Sequence, residues 1–179
     1  AAADDAARAA MQSEMREPYR TLLGHFRHES GHYYWSLISS DAEISRVFTE
    51  LFGDPKKDYV SSLECYYEKG PPSDWHSDFI SAYATAHPLE DWAETWGHYL
   101  HMLDALETAH AHQVLEKDGI TMKMSERIAA WQQVSVMLNE MNRSVGGSDA
   151  YPFTISAGVA RKLELVDLIM DYLQRRQTG

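Results

Sequence analysis

Apolar residues recur at helical spacing along most of this chain, and no stretch alternates with the period of two that marks a half-buried strand. The first load is Tyr19, Leu22, Leu23, Phe26, Tyr33, Trp35, Leu37 and Ile38. Glu17-Pro18 is a favourable start for it, because proline suits the first helical position and an acid suits the positive end of the helix dipole. Ser39-Ser40-Asp41 breaks the run. Residues 41–52 predict a second helix through Ile44, Val47, Phe48 and Leu51, stopped by Gly53-Asp54-Pro55. Residues 58–68 read as a short amphipathic helix, and Gly70-Pro71-Pro72-Ser73-Asp74 as a loop. Residues 75–87 are ambiguous, helical or extended. Pro88 opens a long helix to about 116, with Gly119 as its left-handed cap. Ser125 caps a helix to about 143, Gly146-Gly147 turns the chain, and Ser156 caps a last helix to about 174. Residues 1–16 are alanine-rich, a helix or a frayed arm. The expected fold is mainly α with little or no β-sheet, in one domain spanning 1–179.

One of these helices carries chemistry. His28-Glu29-Ser30-Gly31-His32 reads H-E-x-x-H. Residues four apart lie one turn above each other, so His28 and His32 can hold one metal ion together. Glu29 projects about 100° round the helix from His28, within reach of a metal-bound water without being a ligand. This is the layout of a zinc hydrolase that splits an amide with activated water. Gly31 in mid-helix costs up to about 1 kcal/mol against alanine, which predicts a close packing partner. His25 shares the side of His28 and His32 and is a rival ligand or a neighbour at the rim.

A second motif can complete the site. Glu90 and Glu94 sit four apart near the start of the long helix, interleaved with Trp92 and Trp96. One carboxylate can make a His₂Glu set with the fourth position left for water. The other can accept the spare N–H of a ligating imidazole. Spacing leaves the two roles open. His98, two turns beyond Glu90, could line the cleft. Arg143 could steady a substrate carbonyl or carboxylate, but a plain structural ion pair is the favoured reading.

The chain resembles a bacterial family of zinc-binding metallopeptidases within the gluzincin group of zincins. The resemblance rests on residues 17–35, on Gly70-Pro71-Pro72, on residues 81–96 with His98-Tyr99-Leu100-His101, and on Asn142-Arg143 and Tyr151-Pro152-Phe153. It implies a zincin-like catalytic domain with the H-E-x-x-H helix packed on the glutamate-bearing helix, and one zinc per chain. It implies that Glu90 is the third ligand, that Glu94 stands behind as orienter, and that Tyr83, seven residues before Glu90, steadies the oxyanion. The glycine and histidine that a metzincin needs downstream are replaced by Trp35 and Ile38. Family members are often longer, so an upstream domain in the parent protein is expected.

Composition narrows the partners. A net charge of −11 argues against nucleic acid and anionic membrane as partners and suits neutral or basic peptide or protein substrates. No apolar run approaches the length of a membrane span and no signal-peptide pattern opens the chain. A single cysteine, Cys65, reads as a buried small residue in a reducing compartment, so a cytoplasmic location is expected. Two other classes fit part of the pattern. A di-iron bundle would use Glu29-x-x-His32, Glu107-x-x-His110 and Glu50 or Glu140, but leaves His28 idle. A zinc-bound sensor or partner-binding module would keep the ligands without turnover, yet has no need of Glu29.

Overall fold

The computed structural model describes residues 21–177. Among them are six α-helices and no strand: α1 Leu22–Ile38, α2 Ala42–Phe52, α3 Tyr59–Lys69, α4 Pro88–Ala111, α5 Met124–Ser144 and α6 Ala157–Gln177. The mainly α expectation holds. The arm at 1–16 and the Glu17-Pro18 start lie outside the described residues. Within them α1 opens at Leu22, where the Thr21 hydroxyl accepts the Gly24 N–H at 3.0 Å.

Local signals set most helix ends. Asp41 accepts the N–H groups of Glu43 and Ile44, Asp58 that of Ser61, and Ser156 that of Val159, each satisfying donors that a first turn leaves unpaired. Three expectations are corrected. The long helix α4 stops at Ala111, five residues early, because Gln113 takes the left-handed conformation at φ 61°. The Gln113 and Val114 N–H groups then close onto His110 and Ala109 carbonyls at 2.9 and 2.8 Å, a Schellman closure. Gly119 instead begins a 3₁₀ turn, where a Cβ would lie 2.8 Å from Leu106 Cβ. α5 is capped at Lys123, whose N–H is accepted by Glu126 at 3.0 Å, not at Ser125. Cys65 is exposed, because α3 turns its neighbour Tyr66 inward and places Cys65 about 100° away.

By its contacts the chain divides into two compact units. The first holds the described residues up to Trp75 together with Ser81–Gly97, and the second His76–Ile80 and the residues from His98 onward. α4 therefore begins in one and ends in the other.

The first unit is built on aromatic packing. Trp35 meets Phe48 at 3.9 Å between ring centroids, and Trp92, fully buried, lies 5.5–6.0 Å from Trp35, Phe48, Phe52 and Trp96. Such rings dominate core energetics through the area they bury. Across this contact α1 and α4 approach closely at Gly31, where a Cβ would stand 3.0 Å from Ala93 Cα and 3.1 Å from Trp96 Cβ. Trp92 Nε1 donates to the Gly31 carbonyl at 2.8 Å and Trp96 Nε1 to Ser30 Oγ at 3.0 Å. The opposite face of α1 presents Leu22, Phe26, Tyr33 and Leu37 in exposed positions, so its apolar load is split between two faces.

The ambiguous stretch before α4 forms two 3₁₀ turns, Trp75–Ser77 and Tyr83–Ala86. The second is held by Ser81 Oγ, which accepts the Ala84 N–H, and by Tyr66 and Leu63 of α3 packing on Tyr83 and Ala86. His87 then starts α4: its Nδ1 accepts the Leu89 N–H at 3.1 Å, so Nε2 carries the proton and donates to the Lys57 carbonyl at 3.1 Å.

The second unit packs Met102, Leu106, Trp131, Val134, Val159, Leu163, Val166 and Ile169 as its apolar interior. Arg127 ties it together, donating to the Gly119 and Ile120 carbonyls and pairing with Asp167, which also accepts the Tyr99 hydroxyl. No helix among the described residues is long and apolar enough to cross a membrane.

Candidate metal centre

The α1–α4 contact brings the two sequence motifs face to face within the first unit. His28 Nε2 and His32 Nε2 stand 3.2 Å apart, as their four-residue spacing on α1 requires. From the first turn of α4, Glu90 offers Oε2 to His28 Nε2 at 3.1 Å and Oε1 to His32 Nε2 at 3.3 Å. A tetrahedral zinc with bonds of about 2.0–2.1 Å sets its nitrogen and oxygen ligands about 3.3 Å apart. The two imidazole nitrogens have that separation, one ligand atom from each of the three residues lies within 4.8 Å of the others, and among the described residues they are the one such group.

The hydrogen-bonding pattern also asks for a cation. Glu94, one turn further along α4, accepts from His28 Nδ1 at 2.6 Å and from the Ser81 hydroxyl at 2.7 Å. With its proton committed at Nδ1, a neutral His28 turns the Nε2 lone pair toward a carboxylate. Only positive charge reconciles these groups, either further protons on the imidazoles or a metal ion at their centre. His28, Glu90 and Glu94 are all buried, and buried charges persist only when paired or coordinated. Burial by itself raises the Glu90 carboxyl pKa. Where the imidazoles of His28 and His32 carry protons on Nε2, their hydrogen bonds, with that of the Tyr59 hydroxyl, outweigh that and hold it well below the ordinary carboxylate range.

The floor and the rim of the site differ. His28, Glu90 and Glu94 form the floor. His32 is 29% exposed at its side chain and Glu29 56%, so the open edge carries the residue expected to handle water. His25 Nδ1 lies 3.7 Å from Glu29 Oε1 and contributes no atom to the ligand group. Tyr83 is buried, its ring 6.1 Å from that of His28.

Other candidates fall elsewhere. His98 belongs to the second unit, with Nδ1 2.8 Å from the Tyr151 hydroxyl and its ring 4.5 Å from Phe153. Arg143 pairs with Asp149 on the surface. The residues a di-iron centre would need are not gathered: Glu50 pairs with Arg46, and Glu107 and Glu140 are exposed.

Two site residues escaped sequence reading. Tyr59, the first residue of α3, donates its hydroxyl to Glu90 Oε1 at 2.6 Å, and Ser81 holds Glu94. Neither has a spacing rule that links it to its partner. A polar residue flanking a helix cap was the available signal, and it is common to most helix starts.

The family model described as "Putative zinc-binding metallo-peptidase" matches residues 1–169. The chain is similar to uncharacterized proteins of Mycobacterium tuberculosis and Mycobacterium bovis, each 45% identical over 176 residues, covering 94% of this chain and 52% of the relative. The chain therefore spans about half the length of the curated relatives it matches. No solved structure matches it.

Proposed function

The chain belongs to the putative zinc-binding metallo-peptidase family, and on that premise we propose that it is a peptidase of the gluzincin type, with His28, His32 and Glu90 as the ligands of one zinc ion. The observation that carries this reading is the convergence of His28 Nε2, His32 Nε2 and the Glu90 carboxylate, whose two oxygens lie 3.1 and 3.3 Å from the two imidazoles, with one ligand atom from each residue within 4.8 Å of the others. Zinc held there would supply a Lewis acid and lower the pKa of its water toward about 7.

The chain's own residues do the rest. Glu94 keeps the His28 proton on Nδ1, which leaves Nε2 free to ligate and raises its basicity. Glu29 lies one residue beyond His28 on the exposed side of α1. It accepts a proton from the attacking water and returns it to the leaving amine as the peptide bond breaks. Tyr83 is assigned the oxyanion, donating its hydroxyl to the tetrahedral carbonyl oxygen. Its ring position beside His28 supports that role. The substrate class is peptide or protein. The net charge of −11 favours neutral or basic sequences.

Metal analysis after extensive dialysis tests the reading, combined with cleavage of a peptide library before and after chelation. One zinc per chain, with cleavage lost on chelation and regained on adding zinc, is expected. Stoichiometric zinc without cleavage of any peptide would make the domain a metal-bound interaction module instead.

A further inference from the structure

The Glu90 carboxylate has two oxygens, and each faces a different imidazole: Oε2 faces His28 and Oε1 faces His32. Nothing in a carboxylate distinguishes them. Tyr59 does, because its hydroxyl reaches Oε1 at 2.6 Å across 31 residues of sequence. We propose that Tyr59 is the positioning residue of the metal centre, committing Glu90 Oε1 to a hydrogen bond and leaving Oε2 as the ligand oxygen. This rests on the zinc reading of the site given above.

Three observations support it. Tyr59 is fixed from its other side, because its ring packs edge-on against His87 at 5.1 Å between centroids. His87 is the residue whose imidazole opens α4, so the phenol and the helix bearing Glu90 share one anchor. α3 brings Tyr59 there because Asp58 caps the helix and makes Tyr59 its first residue.

The consequence is specific. A carboxylate free to turn can offer both oxygens to a metal and crowd the position that water needs. An oxygen that already accepts a phenol hydrogen bond is the weaker ligand of the two, and the bond keeps the carboxylate from turning. A ligand's hydrogen-bonding partner typically contributes about 10–100-fold to metal affinity or activity. Tyr59→Phe keeps the ring on His87 and removes only the hydroxyl.

Zinc dissociation constants from competition with a chromogenic chelator, and the visible spectrum of the cobalt(II)-substituted protein, test the proposal on the whole chain. Tyr59→Phe is expected to bind zinc about tenfold more weakly or worse and to shift the cobalt bands, while metal-free Tyr59→Phe unfolds in urea at the wild-type midpoint. Tyr172→Phe, on α6 in the second unit, is the control with unchanged affinity. Wild-type zinc affinity and an unchanged cobalt spectrum in Tyr59→Phe would overturn the positioning role while leaving the zinc reading intact. A lowered urea midpoint of the metal-free variant, with unchanged cobalt bands, would make the hydroxyl structural and also overturn it. A wild-type protein that takes up no zinc would remove the metal reading, and this inference with it.

Discussion

Glu90 and Glu94 are both buried carboxylates on one face of α4, yet they meet different nitrogens. Glu90 faces the Nε2 atoms of His28 and His32, whereas Glu94 meets the outer nitrogen of His28, at 2.6 Å. Removing a ligand and removing its support should therefore differ in size. Glu94→Ala is expected to weaken zinc binding about 10–100-fold, and Glu90→Ala to weaken it considerably more, measured by chelator competition. The reverse order would mean the two roles are exchanged. Their spacing on the helix could not separate them, because residues four apart share a face whichever one points at the metal. The separation lies in a contact 66 residues away in sequence. Tyr59 and Ser81 were illegible for the same reason: each finds its carboxylate through the fold and not through a helical period. Cys65 reads as a buried residue by its type, but its place on α3 beside Tyr66 puts it outside.

At the scale of elements, the contact of α1 with α4 decides whether the site exists. Gly31 is its narrowest point. Helix propensity alone predicts that Gly31→Ala stabilises by up to about 1 kcal/mol. The added Cβ would meet the Ala93 backbone at 3.0 Å, and forced overpacking typically costs about 1–3 kcal/mol. The contact involves backbone that cannot swing away, so the steric cost should win. Gly31→Ala is expected to lower the urea midpoint and to weaken zinc binding, and a raised midpoint would show that the helices can part without cost. A glycine in mid-helix made this approach legible in the sequence. The Ser156 cap was legible too, because a cap bonds to its own third neighbour, whereas the cap expected at Ser125 lies at Lys123. The end of α4 was not. Gln113 adopts a left-handed conformation that favours glycine, carried by the two bonds of its closure, while Gly119 answers to Leu106 across the fold.

For the molecule as a whole, the absence of strands among the described residues followed from the helical period of the apolar residues. The division into two units did not, since α4 runs through Gly97–His98 with no break in pattern and no linker. The first unit holds three buried ionisable side chains at one point, so metal should stabilise it by mass action. Zinc at about 100 times its dissociation constant is worth about 2.7 kcal/mol. For a chain of this size that corresponds to a rise in Tm of roughly 5–10 °C, reversed by chelator and read by calorimetry. No shift would mean that these carboxylates and imidazoles are satisfied without an ion. The central claim is that this metal centre hydrolyses peptides with Glu29 as its base, and one comparison tests it most directly. Wild type and Glu29→Gln are purified side by side, their zinc content is measured, and cleavage of a common peptide library is timed. The account predicts one zinc per chain in both, with turnover in Glu29→Gln reduced at least about 10²-fold, the lower end of what a general base contributes. A Glu29→Gln protein that holds its zinc and cleaves as fast as wild type would contradict it.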